Sequence, residues 1–252
     1  MTNNDWNKDL RLAMRQYGAQ HYPEEACGLI IEVGKKVNII DLPNCAEDRR
    51  NNFRIAPEEY AKASDLGEVI GVWHTHCDLS EKPSQADLAA CESSELPWYI
   101  ISVKMNEVGF EFSDVFHFAP SGFQMDYIGR PYVFGVFDCY SLVRDYYARE
   151  FQITLGNYPR IDNWFRLGHN FFVDHYKEEG FECLVNGEEP IEGDIFLINS
   201  SGDVPNHLAI YIGDEKIIHH THGRLSRRDV YGGYWKKHTV NHLRHTSKCS
   251  QL

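Results

Sequence analysis

Two groups of residues in this 252-residue chain have the types and spacing for bond-breaking chemistry. In the first, His74-Thr75-His76 ends an apolar run, Val69–Trp73, and Ser84 and Asp87 follow. Side chains two apart in a strand share a face, so both imidazoles can address one point. Ser84 and Asp87 lie one helical turn apart and share a helix face. Two neutral nitrogens and one carboxylate then converge, which suits a catalytic Zn²⁺ with a fourth position open to water. Such a metal lowers the pKa of a bound water toward ~7, and a nearby carboxylate can take and return its proton. Glu24 and Glu25, just before Cys27-Gly28-Leu29, are the candidates for that carboxylate. Cys77 could add a fourth protein ligand, which would close the metal and make the site structural.

The second group is a thiol and two histidines. Asp138-Cys139 opens a segment, Tyr140–Tyr147, that reads as helix. A thiol at a helix N-terminus is expected to have a lowered pKa, because the positive end of the dipole favours thiolate. His207 opens the strand-like run Leu208–Gly213, and His219 ends the next one. Adjacent antiparallel strands would set the imidazoles side by side, one to pair with the thiolate and one to orient it. His220 is an alternative for the orienting role.

The elements that must position these groups fall into two blocks. Residues 5–22 read as a helix with Leu10, Leu12, Met14 and Tyr17 toward one side. Leu29–Val33 and Val37–Asp41 form a hairpin around Gly34-Lys35-Lys36. Pro57 opens a helix carrying Tyr60 and Leu66. Val69–Trp73 is a buried-type strand ending at His74, Pro83–Ser93 a helix, and Trp98–Val103 and Val108–Phe118 two closing strands. This predicts an α/β unit over 1–118, with 119–124 as linker. Over 125–252, helices at Asp138–Phe151 and Trp164–Tyr176 precede short strands at Gly193–Ile198, His207–Ile212 and Lys216–His219, an α+β order. Tyr146-Tyr147 and Phe171-Phe172 read as core.

Composition limits the function classes. The formal charge of −12 argues against a nucleic-acid partner. No apolar run reaches the roughly 18–20 residues that span a bilayer, so no membrane insertion is expected. The N-terminus lacks a basic-then-apolar signal pattern, so synthesis and folding in the cytosol are expected. Seven cysteines without a C-x-x-C pair read as reduced, mostly buried thiols. Residues 216–248 carry eight Lys and Arg, among them Arg227 and Arg244, against Asp229 alone. They read as an exposed basic face that includes His242 and His245, either simply solvated or able to meet an anionic polymer or an acidic partner.

Glu25-Ala26-Cys27-Gly28, His74-x-His76 and Ser84-x-x-Asp87 resemble the motif of JAMM/MPN (Mov34-type) metallopeptidases, over residues 1–118. The resemblance implies a cytidine-deaminase-like α/β fold with His74, His76 and Asp87 on Zn²⁺. It further implies Glu25 as general acid/base and Ser84 as an oxyanion donor. Pro131–Gly135 (P-Y-x-x-G), Asp138–Val143 (D-C-x-S-L-V), Gly193-Asp194 and His207–Gly213 (H-x-x-I-Y-I-G) resemble the NlpC/P60 family of papain-like cysteine peptidases, over about 125–252. That resemblance implies Cys139 as nucleophile, His207 as base, His219 as orienting residue and Tyr132 as an oxyanion-side hydroxyl. The family cuts peptide stems of bacterial cell walls.

The two domains in this order resemble the tail tip assembly proteins of long-tailed phages, the lambda K type. The pairing implies a bifunctional hydrolase with a peptidoglycan peptide and other tail tip proteins as partners. It would be made in the host cytoplasm and then carried at the virion tail tip or host cell wall. The alternative is a mainly structural assembly protein with weak sites.

Overall fold

A strand of consecutive apolar residues must be covered on both faces, and the N-terminal part of the chain is built around such strands. The computed structural model describes residues 5–249 except 159, 162, 163, 186 and 203, and the chain divides into two units, 1–124 and 125–252.

The first unit runs α1 (Asp5–His21), β1 (Cys27–Val33), β2 (Lys36–Leu42), α2 (Pro57–Ser64), β3 (Glu68–Cys77), α3 (Gln85–Ser94), β4 (Trp98–Asn106), β5 (Gly109–Phe112) and β6 (Phe116–Phe118). The sheet order is β2-β1-β3-β4-β5, with β6 also on β4. Only β3 and β4 among these pairs are parallel, joined by α3 as the crossover that parallel strands require. Ile30 and Trp73 pack with Leu10 and Met14 of α1, whereas Leu29, Ile31 and Val72 pack with Ala63 of α2 and Cys91 of α3. By strand alternation His74 and His76 share the α3 face with Val72, and Cys77 shares the α1 face with Trp73. Gly28 is required by a close approach: a Cβ there would sit 1.8 Å from the Ile40 carbonyl oxygen.

Several expectations are corrected here. The strand at Val69–Trp73 does not end at His74 but continues to Cys77, because β4 keeps pairing it as far as Val103. Leu12 is exposed while Leu10 and Met14 are buried, since a two-residue step turns about 200° around a helix. Tyr60 and Leu66 are exposed, and α2 stops at Ser64. Val108–Phe118 is two strands, broken where Ser113 Oγ replaces a ladder partner by accepting from the Ser102 N–H at 2.9 Å. Ser121 and Phe123 donate backbone N–H groups to the Glu92 carboxylate at 2.6 and 2.9 Å, which ties this stretch to α3.

The second unit runs α4 (Cys139–Phe151), a 3-10 turn (Trp164–Leu167), α5 (Phe171–His175), β7 (Phe181–Cys183), β8 (Ile195–Ile198), β9 (His207–Tyr211), β10 (Lys216–His219), β11 (Arg227–Val230), α6 (Gly233–His238), β12 (Thr239–His245) and α7 (Thr246–Cys249). Its sheet is antiparallel, in the order β11-β10-β9-β8-β12-β7. Tyr146, Tyr147, Phe172, Ile195, Leu208 and Ile210 build the core between α4 and the sheet. Phe196, Ala209, Tyr211 and Ile217 face the other way, against Tyr231 and Trp235. The helix expected over Trp164–Tyr176 is two short pieces, because Gly168 at φ +81° interrupts it.

The basic stretch is not one exposed face. Residues 239–245 form a strand inside the sheet, where Arg244 is buried and bonds both oxygens of fully buried Asp194 at 2.9 and 2.8 Å. His242 adds a third contact to Asp194 at 2.7 Å. A buried carboxylate needs such partners, and two of the residues assigned to the surface supply them.

Candidate functional site

The first site sits where β3 ends and α3 begins, outside the carboxyl end of a parallel strand pair, the usual place for an α/β ligand site. His74 is fully buried and His76 nearly so. Their Nε2 atoms are 3.1 Å apart, and Asp87 brings Oδ1 to within 3.4 Å of His74 Nε2 and Oδ2 to within 3.3 Å of His76 Nε2. Ligand atoms of all three lie within 4.8 Å of one another, and they are the single such cluster among the described residues. Ser84 is the N-cap of α3, and it anchors Asp87 through a reciprocal capping box. Phe53 stacks on the His74 ring at 4.5 Å and Trp98 meets it edge-on at 5.5 Å.

His76 Nδ1 donates to the Ser80 carbonyl at 2.6 Å, which leaves Nε2 as a lone pair aimed at the cluster. Burial drives the His74 pKa down to about 3 against the pull of Asp87, so this imidazole is neutral. Burial also opposes charge on His76, but Asp87 and the Ser80 carbonyl outweigh it and raise its pKa. Burial would raise Asp87 too, yet the neighbouring imidazoles and Ser84 hold it well below the carboxylate range. A neutral imidazole, a fixed lone pair and an ionised carboxylate converging in a buried pocket fit a divalent metal of the zinc type.

Cys27 lies opposite His74 in the β1–β3 ladder, and Glu25, two residues before it, is near enough to Asp87 to feel its charge. It is buried, and burial first, then the charges of Asp87 and Asp48, push its pKa well up. Glu24 is exposed and faces Arg49 at 3.7 Å. Cys77 donates to the Glu24 carbonyl at 3.3 Å on the opposite face, away from the cluster.

The second site gathers at one end of β9, β10 and β11. His207 Nε2 lies 2.9 Å from His219 Nδ1, and both residues are buried. His220 is not the partner: its Nε2 bonds the Arg224 carbonyl at 3.0 Å, and its ring meets Tyr132 edge-on. Tyr132 also packs edge-on against His222 at 4.8 Å. Cys139 is the first residue of α4, capped by Asp138 and Ser141. The Leu208 N–H reaches its sulfur, which brings the thiol beside the strand that His207 opens.

The expected thiolate is not what this environment favours. Burial pushes the Cys139 thiol up to about 12, and the adjacent Asp138 charge adds to it, outweighing the backbone donors and Arg160. Asp138 stays ionised through Arg160, at 2.7 Å, and the N–H groups of Ser141 and Gly135. Burial lowers His207 to about 3 and also lowers His219. Burial thus favours the neutral form of both the thiol and the imidazole.

Sequence reasoning missed Asp229, whose Oδ2 lies 3.1 Å from His219 Nε2, and Trp235, whose ring meets His219 at 4.4 Å. The available signal was Asp229 as the lone acid in a basic run. It also missed the aromatic walls of the first site, Phe53 and Trp98.

Residues 7–114 match the family of prokaryotic homologs of the JAB domain, and residues 129–244 match the NlpC/P60 family. The fold and sites thus define a two-domain protein, a JAB-like α/β domain followed by a papain-like α+β NlpC/P60 domain. Tail tip assembly protein K of Escherichia phage N15 is 32% identical over 236 residues, covering 92% of this chain and 93% of that protein. The protein of the same name from Escherichia phage lambda is 31% identical over 192 residues, covering 76% and 89%. The chain belongs to the family of tail tip assembly proteins K. A solved NlpC/P60 family protein from Bacillus cereus is 14% identical over 93% of this chain and 66% of that chain, at a TM-score of 0.32. That similarity is too low to carry residue correspondences.

Proposed function

We propose that this chain assembles with other tail proteins at the phage tail tip and carries two hydrolase sites, one for peptidoglycan stem peptides and one metal-dependent. It is made in the host cytoplasm and delivered by the particle to the host wall. Residues 1–118 hold the metal site and 125–252 the cysteine site. The observation that carries the reading is the buried, hydrogen-bonded His207–His219 pair at the end of β9, the strand whose Leu208 N–H reaches the Cys139 sulfur.

In the second domain, Cys139 attacks a peptide carbonyl as His207 takes the thiol proton and then returns it to the leaving amine. The Cys139 and Tyr140 N–H groups at the start of α4, ahead of the Ser141 N–H that caps onto Asp138, and the Tyr132 hydroxyl supply donors for the developing oxyanion. In the first domain, His74, His76 and Asp87 would hold zinc, which when bound polarises a carbonyl and acidifies water. Glu25 holds and moves a proton at its carboxyl, and Ser84 offers its hydroxyl to the oxyanion. The substrate there is a peptide or isopeptide of a tail or wall component.

The burial of both groups, which opposes a thiolate at Cys139 and an imidazolium at His207, favours the second reading, a mainly structural protein. Digestion of peptidoglycan by wild type, Cys139→Ala and His74→Ala, with products identified by mass, separates the two. Cleavage lost only with Cys139→Ala supports the wall peptidase. No cleavage by wild type, alone or with tail proteins added, supports the structural reading.

A further inference from the structure

His207, His219 and Asp229 lie on one diagonal across three neighbouring strands. Ile217 pairs with Tyr211 on one side and with Asp229 on the other, so residues 207, 219 and 229 share the face away from α4. Asp229 is itself fixed: Oδ2 accepts from Arg227 at 2.9 Å and from Trp235 Nε1 at 3.2 Å. The charged and titratable groups around His219 are Asp229 and Arg227 from β11, His207 from β9 and His220 beside it on its own chain segment.

An ionised carboxylate can only accept. We propose that Asp229 is a positioning residue of the cysteine site that sets the tautomers of both histidines and so decides which nitrogen of His207 acts as base. Asp229 accepts the hydrogen of His219 Nε2, and His219 Nδ1 is therefore a lone pair. That lone pair accepts from His207 Nε2–H, and His207 Nδ1 is left as the free lone pair. When the Cys139 S–H bond breaks, its proton goes to Nδ1, giving a thiolate and an imidazolium. The positive charge is then offset through His219 by the Asp229 carboxylate. Burial opposes charge on that carboxylate, but the His219 hydrogen bond, then Arg227 and Trp235, outweigh it and hold its pKa below the ordinary range.

This rests on the cysteine-peptidase reading for its consequence, but the tautomers are readable without any substrate. Long-range ¹H–¹⁵N correlation spectra of the full chain, labelled at histidine and assigned with His207→Gln and His219→Gln, report which nitrogen carries hydrogen. The expected result is Nε2–H on both rings. Asp229→Asn can instead donate to His219 Nε2, which pushes the hydrogens to Nδ1 on both rings and blocks the base. Wall hydrolysis should then fall about 100-fold or more in kcat with little change in KM, and Asp229→Glu should recover much of it. Trp235→Phe, which keeps the carboxylate, should leave the tautomers as in wild type. Nδ1–H on His207 in the wild type overturns the proposal, and that spectrum decides it even if Asp229→Asn fails to fold. Unchanged tautomers and unchanged kcat in a folded Asp229→Asn overturn it as well. Absence of wall cleavage with the expected tautomers instead rejects the peptidase reading and leaves the relay standing.

Discussion

Ser84 and Asp87 hold each other across the first turn of α3. The Asp87 N–H donates to Ser84 Oγ at 3.1 Å, and the Ser84 N–H donates to Asp87 Oδ2 at 2.7 Å. The residue proposed for the oxyanion is therefore also the clamp that aims Asp87, a proposed metal ligand. Ser84→Ala should cost the domain about 1 kcal/mol in thermal or denaturant unfolding. It should also weaken metal binding roughly 10-fold, as loss of an outer partner does. Metal affinity equal to wild type would separate the clamp from the ligand.

Removing a proposed ligand should be more severe. His74→Ala should lower the metal content of the purified chain toward zero by elemental analysis. The alkylation rate of Cys139, followed by peptide mass, should stay as in wild type. Stoichiometric metal retained in that variant would reject His74 as a ligand.

The resting state of Cys139 is testable by pH. Its thiol is pushed up to about 12 and the His207 imidazole down to about 3, so the neutral form of each dominates near neutrality. Alkylation of Cys139 by iodoacetamide should climb about tenfold per pH unit from neutral into alkaline solution, because only thiolate reacts. A plateau reached below pH ~7 would instead reveal a thiolate–imidazolium pair, of the kind seen in strongly activated cysteines.

The Asp194–Arg244–His242 cluster should govern the acid stability of the second domain. Burial opposes charge on Asp194, but His242, Arg244 and the Ile191 N–H outweigh it and lower its pKa. Its folded pKa is below the unfolded value, so its contribution is full above about pH 4 and is lost as pH falls further. Arg244→Ala should destabilise the domain by about 3–5 kcal/mol at neutral pH, since it strands a buried carboxylate. Asp194→Asn should flatten the acid limb of the stability profile. An Arg244→Ala domain as stable as wild type would show that Asp194 is not buried as an ion.

Much of this was legible along the chain because it is local. The i, i+2 spacing of His74 and His76, the Ser84-to-Asp87 turn, and the thiol at a helix start each follow from the period of a single element. The hairpin around Gly34 and the helix from Cys139 to Phe151 are likewise written in nearest-neighbour pattern and capping. Those features were enough to order the two domains and to name two candidate sites.

What only the tertiary structure decided is non-local. The sequence places Arg244 and His242 in a basic tail, but strand β12 inserts between β8 and β7 and turns both onto a carboxylate some fifty residues earlier. Asp229 looks like a stray acid until the β9–β10–β11 register sets it on a diagonal with His219 and His207. The helix start alone argues for a thiolate at Cys139, but desolvation by the packed domain and the Asp138 charge reverse that sign. The physical reason is the same in each case. Local pattern determines which residues a strand or helix presents, whereas charge state and partner depend on burial and on strand register, which exist only once distant segments have packed together.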